Sequence, residues 1–336
     1  MAVHESDVVR VVRGFKAAVL AKEAKQMAEL ADRYLQVELS LEDQIAALAA
    51  NVAALQAEGR ATYWAINRLE SYQRFQLKML TALDDYNRWA AENIREEQLA
   101  FFGLGEDHAA ATLETVKPGI SVPLSAGERE RILSMVGFAS DGSPLANLLA
   151  ASGDFVRATV TQKLVQAVAT AQNPRITARE IRKATSMALN RAMAIARTEQ
   201  MRVYRDTTLA GYREAGVQYY QRIAARDPAT CIACLSMDGE ISTTEASVDD
   251  HVNGRCSSIP IVPGVENPMA EPSQQWFDRQ GEATQRAMMG PGRYDLYRSG
   301  QVNWNELGKH THDPVWGGSI QPVPVRDLAV AQMAAA

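Results

Sequence analysis

All three cysteines of this 336-residue chain lie between positions 231 and 256. Cys231 and Cys234 form a Cys-x-x-Cys pair, and His251 and Cys256 follow after a polar spacer. Thiolate sulfur and imidazole nitrogen are ligands that zinc prefers, and three cysteines with one histidine can close a tetrahedral structural site. The spacing therefore predicts a structural zinc ion, Zn(II), held by these four side chains.

Other interpretations of the cysteines remain open. They could be small, partly buried residues without a metal, or Cys231 and Cys234 could form a redox-active pair. No βαβ pattern surrounds the pair, which argues against redox chemistry.

A catalytic alternative is a metal-dependent nuclease of the HNH type. Asp250 and His251 would then supply a general base, and Asn253 would orient it. His251 would have to leave the zinc ion for this role, and His310 and His312 are remote in the sequence. Four ligands close a structural site, whereas a catalytic zinc ion keeps one position for water. We predict that the protein is not an enzyme, with this nuclease as the runner-up.

Composition indicates an ordinary soluble protein. The chain is 46% hydrophobic and 22% charged, and its net charge of -5 gives no general attraction to nucleic acid. We find no apolar run long enough to cross a membrane and no secretory signal. An odd number of cysteines argues against disulfides and predicts synthesis in a reducing cytoplasm.

The N-terminal hundred residues contain no proline and can therefore form very long helices. Leu41, Ile45, Leu48 and Val52 follow the alternating four- and three-residue spacing of a heptad seam. A break is predicted at Gly59, with a second long helix over about residues 61–100. Residues 1–102 are thus predicted to form a helical hairpin or coiled-coil stalk, which could also join copies of the chain. The alternative is an ordinary helical bundle.

The rest of the chain divides by its glycines and prolines. Residues 103–125 are predicted as a linker, and residues 126–264 as a helical domain that ends in a loop-rich, zinc-knuckle-like module at about 226–264. Ile259 to Pro263 could form a short edge strand. A helical segment and tail are predicted for 265–336. The predicted fold class is mainly α.

A basic stretch precedes the cysteines. Eleven basic residues lie between positions 175 and 227, against five acidic ones. The candidates for contact with DNA phosphates or an acidic partner are Arg175, Arg179, Arg182 and Lys183. The alternative is a solvated helix face.

Four motifs in order along the chain resemble one family. They are Ala196-Arg197-Thr198-Glu199, the Cys-x-x-Cys pair after Asp227, Asp238-Gly239, and His251-Val252-Asn253-Gly254-Arg255-Cys256. This order is similar to the phage head-morphogenesis family of minor head proteins, which resemble the F protein of phage Mu. There the last motif reads His-Pro-Asn-Cys-Arg-Cys. The resemblance covers about residues 150–307, and it departs from the family at Val252 and Gly254.

The resemblance implies a structural protein of the virion, inside the head or at the portal vertex. It implies assistance in procapsid assembly and in DNA packaging or ejection, after synthesis in the host cytoplasm. The expected partners are portal, capsid or scaffold proteins and packaged DNA, with no membrane. The motif residues Arg197, Thr198, Glu199, Asp227, Asp238 and Gly239 are expected to form the framework of the domain. Because Gly254 replaces a cysteine, a metal site here must rely on His251 and Cys256.

Overall fold

The structure is a computed structural model that describes residues 6–227, 230–265 and 271–328. These residues are mainly helical, which confirms the predicted fold class. The helices are α1 (Asp7–Ala57), α2 (Tyr63–Asn67), α3 (Glu70–Val116), α4 (Ala126–Leu133), α5 (Leu145–Ala169), α6 (Pro174–Thr185), α7 (Met187–Glu214), α8 (Ile232–Ser236), α9 (Ser273–Asp278), α10 (Glu282–Met289) and α11 (Pro291–Arg298). The strands are β1 (Tyr219–Ile223), β2 (Ile241–Thr243), β3 (Ser257–Ile261), β4 (Gly308–Asp313) and β5 (Gly317–Pro322), and a 3-10 turn spans Trp304–Glu306.

The chain forms two compact units. The helical unit contains Lys22–Glu97 and Ser143–Ala196, and the mixed unit contains residues up to Ala21, Gln98–Gly142 and the chain from Arg197 onward. The mixed unit therefore holds the cysteines. No helix in the described part of the chain is both long and apolar enough to cross a membrane.

In the helical unit, α1 and α3 pack side by side and run antiparallel. Gln26 donates a hydrogen bond to Asn93 at 3.0 Å, whereas Asn51, farther along α1, donates to Ser71 near the start of α3 at 3.0 Å. The predicted seam residues Leu41, Ile45, Leu48 and Val52 are all buried. The predicted N-terminal hairpin is therefore present. The helix α1 ends at Ala57, just before Gly59, whose positive φ of 67° ends the helix.

The predicted linker begins later than expected. Residues 103–116 are the last turns of α3, so the linker prediction is wrong over this range. The physical reason lies at Gly105, where an added Cβ would be 2.6 Å from the Tyr204 carbonyl oxygen and 2.7 Å from the Thr207 Cβ. This glycine lets α3 and α7 approach closely and does not break the helix.

A three-stranded antiparallel sheet in the mixed unit has the order β2-β1-β3. The edge strand predicted at Ile259 to Pro263 is present two residues earlier as β3, and among the described residues β3 pairs with β1 alone, so Pro260 can lack a backbone N–H there. The sheet packs on α7 through a cluster that includes Tyr212, Val217 and Tyr220. The sheet holds both ends of the loop between β1 and β2, which contains Cys231 and Cys234, and both ends of the loop between β2 and β3, which contains Cys256.

A second β structure was not predicted. Strands β4 and β5 form an antiparallel hairpin within 265–336, where the sequence predicted a helical segment and tail. Helices α9 to α11 agree with the helical part of that prediction. The strand β4, Gly-Lys-His-Thr-His-Asp, has no alternating apolar pattern, so periodicity could not reveal it. Residues 329–336 of the predicted tail lie outside the described residues.

Candidate metal centre

Two elements bring the cysteines together. Cys231 is the N-cap residue of the short helix α8, and Cys234 lies in its first turn. Cys256 immediately precedes β3, and His251 lies in the loop before it. Cys234 and Cys256 are buried together with Ala224 and Ile320, the latter from β5, and Cys231 is half-buried beside them. All three cysteines are free thiols.

The possible ligand atoms fall into two groups of three within the described residues. Cys231, Cys234 and His251 form one, and Cys234, Asp250 and Cys256 form the other, with all atoms of a group within 4.8 Å of one another. Cys234 belongs to both. The four residues predicted from the sequence are thus divided between two adjoining groups, and Asp250 is an additional candidate ligand.

The thiols and the imidazole perturb one another. Hydrogen bonds from Cys234 and His251 lower the pKa of Cys231 to about 4, against the effect of burial. The hydrogen bond to Cys231 raises the pKa of His251 to about 9. The pKa of Cys234 is raised, because it hydrogen-bonds both other cysteines and is buried. A thiolate at Cys231 is a soft ligand for a metal ion, and His251 would release its proton on binding one.

Asp250 and Arg205 hold the loop between β2 and β3, residues 244–256, which ends in Cys256 and is called the cysteine loop below. The Asp250 carboxylate accepts hydrogen bonds from the backbone N–H groups of His251 at 2.9 Å and Cys256 at 3.0 Å, and it forms a buried ion pair with Arg205. The same guanidinium donates to the carbonyl oxygens of Cys256 at 2.8 Å and Gly254 at 2.9 Å. One arginine of α7 therefore fixes the loop at three points.

Arg205 was not among the site residues predicted from the sequence. Thr198, one of the predicted framework residues, accepts a hydrogen bond at 3.2 Å from the backbone N–H of Asn253, which has a positive φ of 65°. Arg205 lies seven residues later in α7 and therefore on the same helix face. The seven-residue spacing between Thr198 and Arg205 was the feature of the sequence that could have identified Arg205.

Basic side chains surround the cysteines. Arg222 on β1 is buried, and the charges of Cys256, Asp250 and Cys234 raise its pKa although burial opposes this. Lys16 lies 3.5 Å from Asp227, and burial lowers its pKa more than Asp227 raises it. The positive charges of Arg222 and Lys16 would offset part of the negative charge of thiolate ligands.

The other predicted framework residues have structural contacts. Asp238 is fully buried, pairs with Arg226 and accepts a hydrogen bond from the Ala224 N–H at 2.8 Å. Gly239 has a φ of 95°, which favours glycine, and its N–H bonds the Arg222 carbonyl oxygen at 3.0 Å.

The remaining framework residues are Asp227, Glu199 and Arg197. Asp227 accepts a hydrogen bond from the Thr230 hydroxyl at 3.0 Å. Glu199 pairs with Arg202 at 2.6 Å, and Arg197 is half-buried.

The predicted basic contacts lie in the helical unit. Arg175, Arg179, Arg182 and Lys183 are exposed on α6, and Arg182 pairs with Glu42 at 3.1 Å. They belong to neither ligand group.

His310, remote in the sequence, is close to the cysteine loop in space, because its ring contacts Asp249 at 3.3 Å and Glu240 at 3.1 Å.

Glu199 gives a prediction about pH. Burial raises its pKa to about 7, although Arg202 opposes this. A buried acid with a raised pKa loses its proton at a cost to the folded state, so stability falls as pH rises from about 4.5 through 7. We expect Glu199→Gln to raise the free energy of unfolding by on the order of 1 kcal/mol at pH 8 and to lose this gain near pH 5. Thermal unfolding across this range measures it.

The exposed Glu130→Gln is the matched control and should show no such trend. A difference between wild type and Glu199→Gln that is the same at pH 5 and pH 8 would contradict the prediction.

Comparison with known protein families gives a match over part of the chain. Residues 158–268, which include every candidate metal ligand, match the family model described as Phage Mu protein F like protein. No curated protein and no solved structure matches the chain. Over this segment the chain is similar to the phage Mu F-like head morphogenesis proteins.

Proposed function

We propose that this chain is a structural minor head protein of a phage particle that acts in head assembly. The observation that carries the proposal is the family match over residues 158–268, which spans α6, α7, the β2-β1-β3 sheet and the cysteine loop. A position at the portal vertex and a part in DNA packaging or ejection belong to the same proposal.

The local chemistry supports a structural role over the nuclease alternative. A general base at His251 would need a neutral imidazole with a free nitrogen. Its Nδ1 lies 2.8 Å from the Val252 carbonyl oxygen, and His251 belongs to the ligand group of Cys231 and Cys234, so a bound metal ion would take the other nitrogen. A nitrogen that coordinates a metal ion cannot accept a proton from water.

We propose zinc as the metal of the centre. The donor set, thiols and an imidazole within 4.8 Å of one another, suits a soft divalent ion. Cys231, Cys234, His251 and Cys256 would hold it, with Asp250 as a neighbouring carboxylate. The ion would supply a cross-link between α8 and the start of β3.

The exposed surfaces are proposed as contact sites. Four basic residues on one face of α6 suit DNA phosphates or an acidic protein surface. The long pair α1 and α3 offers a surface for a portal, capsid or scaffold protein or for a second copy of the chain.

Two experiments test the proposed role. Mass spectrometry of purified virions is expected to find the chain at low copy number, and its absence from particles would overturn the proposal. Incubation of the purified protein with plasmid and Mg(II) or Mn(II) is expected to leave the plasmid intact. Cleavage that disappears in His251→Ala would favour the nuclease instead.

Metal removal tests the centre. We expect one zinc ion per chain by elemental analysis and a clear drop in melting temperature after chelation, because bound metal stabilises the folded state. In the cobalt-substituted protein, the thiolate-to-cobalt absorption should weaken in Cys256→Ser and in Cys231→Ser. A metal-free protein whose melting temperature does not respond to chelator would contradict the zinc assignment.

A further inference from the structure

A second cavity in the mixed unit, of about 260 Å³, adjoins the small cavity of about 50 Å³ at the cysteines, because His251 lines both. Its walls come from α4 and the loop after it, from α7, from the loop before β3 and from the tip of the β4–β5 hairpin. The charged and titratable residues of the wall are Glu199, Asp206, Asp250, His251, Arg131, Arg202 and Arg205.

The arginines of this cavity are already used as donors. Arg131 donates to Glu128 at 2.9 Å, and Arg202 donates to Glu199 at 2.7 Å and to the Phe138 carbonyl oxygen. Arg205 is the residue that fixes the cysteine loop. Each of the three guanidinium charges is therefore already paired with a carboxylate.

The acceptors of the cavity are not all used. Glu199 has 0% exposure, and its Oε1 atom has no hydrogen-bond partner within the described parts of the chain. A buried acceptor without a partner is costly. Asp206 lines the same cavity, and burial raises its pKa although four nearby arginines act against this. The cavity therefore contains a carboxylate oxygen that lacks a donor, and a positively charged N–H group would supply one.

We propose that this cavity binds the cationic side chain, ammonium or guanidinium, of a lysine or arginine from a protein partner. Glu199 Oε1 and Asp206 would accept its N–H groups. The indole of Trp316 offers an aromatic face that cations favour, and Met135 and Val248 offer apolar surface for the alkyl stem. The proposal does not depend on the zinc ion or on the role in the phage head.

The same features argue against a divalent metal ion. Glu199 and Asp206 lie two turns apart on α7, with Arg202 between them on the same face. The groups with metal-like spacing among the described residues include neither acid.

The test uses two blocked tripeptides with arginine or its neutral isostere citrulline at the centre. Calorimetric titration of the full chain at constant ionic strength measures both. We expect the arginine peptide to bind about tenfold more tightly than the citrulline peptide, because hydrogen bonds to charged groups are stronger. Glu199→Gln and Asp206→Asn should each remove about tenfold of the arginine affinity, and the exposed Glu130→Gln should remove none.

Equal affinities for the two peptides would overturn the proposal, as would the absence of saturable binding at millimolar peptide. Titration with Mg(II) and Mn(II) forms the second arm. Metal binding that is lost in Glu199→Gln, with no binding of the arginine peptide, would assign the cavity to a divalent cation and overturn the proposal. Because Asp206→Asn is an independent variant, misfolding of Glu199→Gln alone would still leave a decisive measurement.

Discussion

Arg205→Ala is expected to lower the free energy of unfolding by about 3–5 kcal/mol, the usual cost of leaving one partner of a buried ion pair without the other. Arg205 and Asp250 are 8% and 1% exposed at their side chains. Without the guanidinium, the Asp250 carboxylate stays buried without its counter-charge, and the carbonyl oxygens of Gly254 and Cys256 lose their donor. Chemical denaturation of purified variants measures the change.

Two further variants make this test specific. Arg205→Lys keeps the charge, but its single nitrogen cannot replace both Nε and Nη2, the two atoms through which Arg205 donates, so we expect it to recover only part of the loss. Arg157→Ala removes an exposed pair with Asp154, whose side chains are 51% and 78% exposed, and should cost less than about 1 kcal/mol. If Arg205→Ala were as mild as Arg157→Ala, the loop would not depend on Arg205.

The sequence was sufficient where periodicity or spacing carries structural information. The heptad seam around Leu41 and Ile45 predicted the long N-terminal helices, and the Cys-x-x-Cys pair with His251 located the ligand groups. Both signals are local, since each compares residues within a few turns or one loop. The edge strand at Pro260 was also visible, because a short apolar run that contains proline is compatible with an edge position.

The sequence was insufficient where a residue acts through a distant contact. Gly105 looked like a linker signal, and only the crossing of α3 and α7 explains it. The strand β4 is polar and is fixed by its partner β5 and by α8, since a Cβ at Gly308 would lie 2.6 Å from Ser236 Oγ. The pairing of Arg205 with Asp250 joins residues 45 positions apart, and no local pattern encodes it.

Gly254→Ala is the second variant with a large expected effect. A Cβ at position 254 would lie inside the space of the Asp250 carboxylate, which Arg205 and the N–H groups of His251 and Cys256 hold in place. The carboxylate cannot move without losing these partners, so the collision cannot relax cheaply. We expect a loss of about 3 kcal/mol in unfolding free energy, at the upper end of overpacking effects. Gly127→Ala, where an added Cβ meets nothing within 4 Å, is the control and should not destabilise.

A double-mutant cycle separates this collision from other effects of the methyl group. In the background of Asp250→Ala the space is empty, so adding Gly254→Ala should cost less than about 1 kcal/mol, even though Asp250→Ala is itself destabilising. Full additivity of the two changes would show that position 254 is constrained by something other than Asp250. The Asp250 carboxylate, grouped with Cys234 and Cys256, lies where any side chain at position 254 would begin, so position 254 must be glycine as long as Asp250 keeps its present partners.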